Sequence, residues 1–145
     1  MANVANVLSI PRALRLFQRK RIDAFCLSSD SVGKFVYISG DRVGKTYTVC
    51  TVDPLVRAKM PAIGLIIQKY TTTKCIVQLF GEVRGIFTGL TPGHYVFIGL
   101  DGGLVQAPVD PPVGRFLFHQ MAGIAFASDV VFLYLDSTTM AKRIG

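Results

Sequence analysis

Thr46-Tyr47-Thr48-Val49-Cys50-Thr51-Val52 is the stretch that decides the fold. β-Branched residues dominate it, residue type alternates along it, and it stops at Asp53-Pro54. A period of two bounded by turn residues is the pattern of a strand. Working outward, the same unit recurs. Towards the N-terminus lies Phe35-Val36-Tyr37-Ile38, closed by Ser39-Gly40-Asp41. Towards the C-terminus come Ile63 to Ile67 after Pro61, Cys75 to Phe80 stopping at Gly81, and Val83 to Phe87 stopping before Gly89. Then follow Tyr95 to Ile98, Leu104-Val105, Phe116 to Gln120, Ile124 to Phe126 and Val130 to Leu135. Turn signals fall every 8–12 residues or so, and no segment of the body holds a 3.6-residue apolar period. The reading is all-β: a small β-sandwich or β-barrel of about eight to ten short strands. Leu55 to Met60 reads as a loop.

The connections support this. Asp101-Gly102-Gly103 offers the positive φ angles of a tight hairpin, and Thr91-Pro92-Gly93 has the proline and glycine of a second turn. Thr71-Thr72-Thr73 joins two hairpin strands. Gly40-Asp41-Arg42-Val43-Gly44-Lys45-Thr46 looks like a phosphate-binding loop, but only three residues separate its glycines where four are needed, and a strand follows where a helix should. It reads as a hairpin connection.

The chain has 145 residues, half of them apolar and 17% charged, enough for one domain with a real core. The longest apolar runs are strand-length, well short of the roughly 20 residues of a membrane-spanning helix, so no membrane association is expected. No apolar stretch follows a charged start, so no secretory signal is expected. Charge divides the chain into a basic N-terminal arm (1–22), an all-β domain (23–138) and a C-terminal tail (139–145). The arm holds Arg12, Arg15, Arg19, Lys20 and Arg21 and no acid, whereas the remainder is nearly neutral. Such a block meets an acidic partner. The arm reads as extended or as a short helix: Ser9 is a cap, Pro11 fits the first turn, and Leu14 and Phe17 share a side with arginines around it. About ten residues of helix are marginal alone in water and form when docked. The partner-binding candidates are therefore Arg12, Leu14, Arg15, Phe17, Arg19, Lys20 and Arg21.

No constellation carries chemistry. Cys26, Cys50 and Cys75 include no CxxC pair and read as free thiols in apolar surroundings. His94 and His119 lack ligand-spaced companions. The aspartates sit singly beside turns, where they bond to local backbone. No catalytic, metal or cofactor residues are assigned, and the chain is not expected to be an enzyme. The competing reading for the basic segment is phosphate binding, with the body an oligonucleotide-binding barrel whose Phe35, Tyr37, Tyr47 and Phe80 stack on bases. Near-neutrality of the body argues against a nucleic-acid partner. A basic, acid-poor start also fits a mitochondrial transit peptide.

From Asp30 to Asp136 the order of turns resembles small decoration, or cement, proteins of tailed-phage capsids, and related β modules of phage tails and fibres. The pattern begins at Ser31 to Gly40 and continues through Pro61 to Ile67, Gly81-Glu82-Val83-Arg84-Gly85 and Gly89-Leu90-Thr91-Pro92-Gly93. It closes with Asp101-Gly102-Gly103-Leu104, Pro111-Pro112, Gly123-Ile124-Ala125 and the run Val130 to Leu135. The resemblance implies a non-enzymatic virion protein, made in the host cytoplasm and bound to the major capsid protein on the outer shell. It also implies a homo-oligomer, with a trimer favoured, and no cofactor. A tail, baseplate or fibre-attachment module is the alternative.

Overall fold

The computed structural model describes residues 20–136 and 140–143. Twelve strands are found among them, and no α-helix. The first five are β1 (Arg21–Phe25), β2 (Phe35–Val43), β3 (Thr46–Thr51), β4 (Gly64–Thr71) and β5 (Lys74–Gln78), and they close a barrel in the order β1-β3-β2-β4-β5. Closure is completed by the antiparallel β1·β5 pair, and β1 runs parallel to β3. The second unit is an open sheet, ordered β6-β11-β10-β7-β8. It contains β6 (Phe80–Arg84), β7 (Tyr95–Ile98), β8 (Leu104–Val105), β10 (Met121–Ala127) and β11 (Val130–Tyr134). A two-stranded ribbon pairs β9 (Phe116–His119) with β12 (Met140–Arg143).

The alternation read in the sequence places side chains in two cores. Val36, Val49, Ile66, Cys75 and Val77 fill the barrel with Ala24 and Cys26. Phe35 and Leu65, immediate neighbours of Val36 and Ile66, point outward and pack on Val83, Val96, Ala125, Val131 and Leu133 of the sheet. Leu65 and Ile66 are both 0% exposed. Strands buried on both sides carry consecutive apolar residues, which is why Ile63 to Ile67 is continuous.

The turn chemistry holds. Gly44 (φ +60°) and Lys45 connect β2 to β3, so Gly40 to Thr46 is a hairpin. Gly93 (φ +82°) follows Pro92, with the His94 amide donating to the Thr91 carbonyl. Gly102 (φ +81°) lies against Thr51 and Val52, and its carbonyl accepts from the Phe35 amide at 2.8 Å, tying the β7–β8 turn to the barrel.

Several boundaries move. The run expected to end at Ile38 continues to Val43, with the register against β3 shifting on both sides of Gly40. The break expected at Gly81 falls at Leu79, where the chain passes from barrel to sheet; Gly81 lies within β6. The strand expected to reach Phe87 stops at Arg84, because Gly85 (φ +74°) turns the chain and Ile86 and Phe87 fold into the core. Leu55 to Met60 contains a short 3₁₀ turn, Arg57–Lys59. Arg21 and Ile22 belong to β1, not to an arm ending at residue 22, since they pair with Gln78 and Val77. Residues 140–143 form β12 in what reads from sequence as a tail. The extended or short-helical form expected of the arm concerns residues 1–19, outside the described residues.

Candidate interaction surface

The chain enters the described fold at the seam between barrel and sheet. The Leu79 amide donates to the Lys20 carbonyl at 2.6 Å, and the Lys20 side-chain stem lies beside Gly81 of β6. Arg21 Nε donates to Gln78 Oε1 at 3.2 Å. Gln78 is 3% exposed, and its Nε2 donates to the Phe80 and Glu82 carbonyls, each at 3.0 Å. One buried amide thus covers carbonyls of an edge strand, a position that otherwise invites pairing with another chain. A cleft of about 320 Å³ opens here between Arg21, Gln68, Gln78 and Arg84. Of the arm residues singled out from sequence, Lys20 and Arg21 therefore mark its root. Arg12, Leu14, Arg15, Phe17 and Arg19 lie outside the described residues.

The sheet's outer face carries a feature that sequence reading missed. Val83, Val131, Ala125 and Val96 face the barrel, so their neighbours Glu82, Phe132, Ile124 and Tyr95 form a row across the opposite side. Phe80 meets Phe132 edge-on at 5.2 Å and Tyr134 at 6.2 Å, and Phe126 stacks on Phe132 at 5.2 Å. Tyr134, Phe126 and Tyr95 are 60%, 58% and 55% exposed. The charges in this area, Glu82 and Arg84, pair with each other at 2.6 Å. The available signal was the unbroken run Val130 to Leu135: a strand apolar at every position expects cover on both faces. Among the described residues only the barrel-facing side of this strand is buried, and Tyr134 stays exposed on the other.

A second apolar depression, about 420 Å³, lies on the barrel between Phe25, Leu27, Tyr37, Thr48 and Cys50. Burial raises the pKa of the Tyr37 hydroxyl and of the Cys50 thiol, and the two groups raise Tyr37 further through their contact. Neither is set up as a nucleophile, which needs its anion stabilised. Cys26 and Cys75 are buried and free, and burial followed by the adjoining Cys26 pushes the Cys75 thiol up to about 12.

The remaining polar residues hold the fold. Asp30, 4% exposed, accepts from the Leu27 amide at 2.7 Å, the Thr51 amide at 3.1 Å and the Thr51 hydroxyl at 2.6 Å. Gln120 bonds both backbone groups of Ala62, and its Nε2 also reaches the Asp136 carbonyl. Asp53 and Asp101 accept from backbone amides two residues on, as their turn positions suggest. His94 is exposed, and His119 packs on Phe97 at 4.9 Å. Among the described residues no group of three His, Cys, Asp or Glu side chains could hold a metal ion, and no helix is long and apolar enough to cross a membrane.

No family model, curated protein or solved structure matches this chain. The four aromatics that a base-stacking platform requires are dispersed. Phe35 is 0% exposed between barrel and sheet, Tyr37 packs on that same core, Tyr47 packs on the barrel core, and Phe80 lies on the other sheet. The surface that the structure does assemble is aromatic, with the root of a basic segment at its edge.

Proposed function

We propose that this chain is a non-enzymatic structural protein of a virion, a capsid decoration protein that binds the outer shell and works as a homo-oligomer. The observation that carries this reading is the open aromatic face of the sheet beside the root of the arm. A stabilising protein adds binding energy across joints between subunits, and exposed ring area supplies it non-directionally. The arm's cations steer the approach to acidic shell patches. The order of turns, which resembles that of phage cement proteins, is in keeping with this reading. A tail or baseplate position is the second reading, since the same β pattern serves there.

The test is co-sedimentation of the full chain, and of a chain lacking residues 1–19, with separated phage heads and tails. The deletion stops at residue 19 because Arg21 begins β1. Binding to heads that falls at least about tenfold on deletion, and weakens with salt, supports the reading. Binding to tails alone transfers the protein to the tail, and binding to neither rejects a virion role.

A further inference from the structure

The cleft at the seam between barrel and sheet holds an arginine with no acid of its own. Among the described residues the ion pairs are Glu82–Arg84 and Lys34–Asp101, and Arg21 belongs to neither. Its side chain is nevertheless held. Nε donates to Gln78 Oε1 at 3.2 Å, and the Gln78 amide is itself locked, because its Nε2 donates to the Phe80 and Glu82 carbonyls. A buried amide thus fixes an exposed guanidinium. Fixing it in advance lowers the ordering cost of binding. With Nε engaged, the two Nη groups remain to meet both oxygens of a carboxylate or a phosphate.

The rest of the cleft decides between those anions. Its volume of about 320 Å³ lies at the lower end of ligand sites and suits one side chain. Two cations, Arg21 and Arg84, share it with one anion, Glu82, which leaves a single positive charge. One carboxylate balances that charge. A phosphate monoester brings close to two negative charges against Glu82. A nucleic-acid backbone brings a row of charges and needs a basic track, which the nearly neutral body lacks. Ile67, Val83 and Ile86 complete the lining as an apolar wall for the methylenes of an acidic side chain, and the exposed Gln68 adds an amide donor.

We propose that this cleft receives the carboxylate of a glutamate or aspartate side chain from a partner protein. Arg21 grips the carboxylate, Gln78 positions Arg21, and Arg84 adds charge that it shares with Glu82. The Glu82–Arg84 pair yields readily, because its side chains are 42% and 73% exposed. None of the rings of the aromatic face lines the cleft, so both surfaces can be occupied together. The site goes beyond the capsid reading and does not depend on it.

The experiment is titration of the full-length chain at low salt, followed by NMR of the Arg21 Nε–H and Gln78 side-chain amide signals. The probes are N-acetylglutamate α-amide, its glutamine counterpart and inorganic phosphate. The expected result is a saturable shift of both signals by the glutamate probe and none by the glutamine probe. Arg21→Gln should weaken binding at least about tenfold. Glu82→Gln, which releases Arg84, should tighten it about threefold. The remainder of each spectrum reports folding, and if Arg21→Gln does not fold, Glu82→Gln decides. Absent shifts overturn the proposal, as do equal shifts with the glutamine probe or unchanged binding in the variants. An equal shift at the exposed Arg57, outside the cleft, means loose counterion binding and also overturns it. Phosphate binding more tightly than the glutamate probe overturns the choice of carboxylate. No phage particle enters this measurement, so its failure is separate from failure of the capsid reading.

Discussion

The barrel closes on itself around Val36, Val49, Ile66, Cys75 and Val77, lends Phe35 and Leu65 to the neighbouring sheet, and leaves Ile38, Val43 and Tyr70 exposed along β2 and β4. The open sheet buries only one side, and on the other it leaves Phe126, Tyr134 and Tyr95 more than half exposed. Each unit includes a run of consecutive apolar residues, Leu65 to Ile67 in the barrel and Val130 to Leu133 in the sheet. The exposed apolar side chains of the barrel, Ile38, Val43 and Tyr70, are spread along two strands. The exposed rings of the sheet are gathered on one face. The proposed function accordingly assigns binding to the sheet and scaffolding to the barrel.

The largest expected effect breaks the sheet. Gly123 in β10 has φ +151°, and an added Cβ would fall on the Phe132 carbonyl oxygen of β11. Gly123→Ala combines overpacking with a strained backbone, and a loss of about 3 kcal/mol or more is expected in denaturant titration. A wild-type midpoint would contradict the β10·β11 packing. Next come Leu65→Ala and Ile66→Ala, adjacent residues in different cores, each expected to cost about 2–5 kcal/mol. Hydrogen exchange should rise first in β1 and β5 for Ile66→Ala, and first in β10 and β11 for Leu65→Ala. Identical patterns would mean that barrel and sheet are one cooperative unit.

A smaller effect belongs to the barrel and is seen in alkali. Cys75 is held protonated in the fold, pushed up to about 12 from an ordinary 9.0. The unfolded chain releases that proton first, so stability should fall as pH rises above about 9. Cys75→Val should flatten the fall, and an unchanged alkaline limb would place the titration elsewhere. The smallest effect lies at the β7–β8 turn. The Gly103 amide and Lys34 hold the Asp101 carboxyl below its ordinary 3.8, so its contribution is present above that pH and lost as pH falls through the lower folded value. The carboxylate is exposed, and Asp101→Asn should cost less than about 1 kcal/mol, with a shallower acid limb. Equal acid limbs for the two proteins would remove Asp101 from the account.

The fold class was legible because period-two runs and glycine-rich turns are local signals. Asp101 to Gly103, Thr91 to Gly93 and Gly44 all fall where their backbone requirements predict. Residues set by long-range pairing were not legible. Arg21 reads as one more arm cation until β5 pairs with it, and Met140 to Arg143 carry no strand pattern until they meet β9. The interaction face was half legible. Its aromatic residues are plain in the sequence, but which side of β11 the barrel covers depends on packing between units far apart in the chain. The arm's composition was legible, while its root is defined by contacts of Lys20 and Gln78 that only the fold creates.

The assignment of binding to the sheet and scaffolding to the barrel is tested most directly by electron cryomicroscopy of particles carrying the protein. The account predicts density on the head, with the outer face of β6-β11-β10-β7 turned towards the shell and the barrel facing solvent. Density with the barrel against the shell and the aromatic face open to solvent would contradict it.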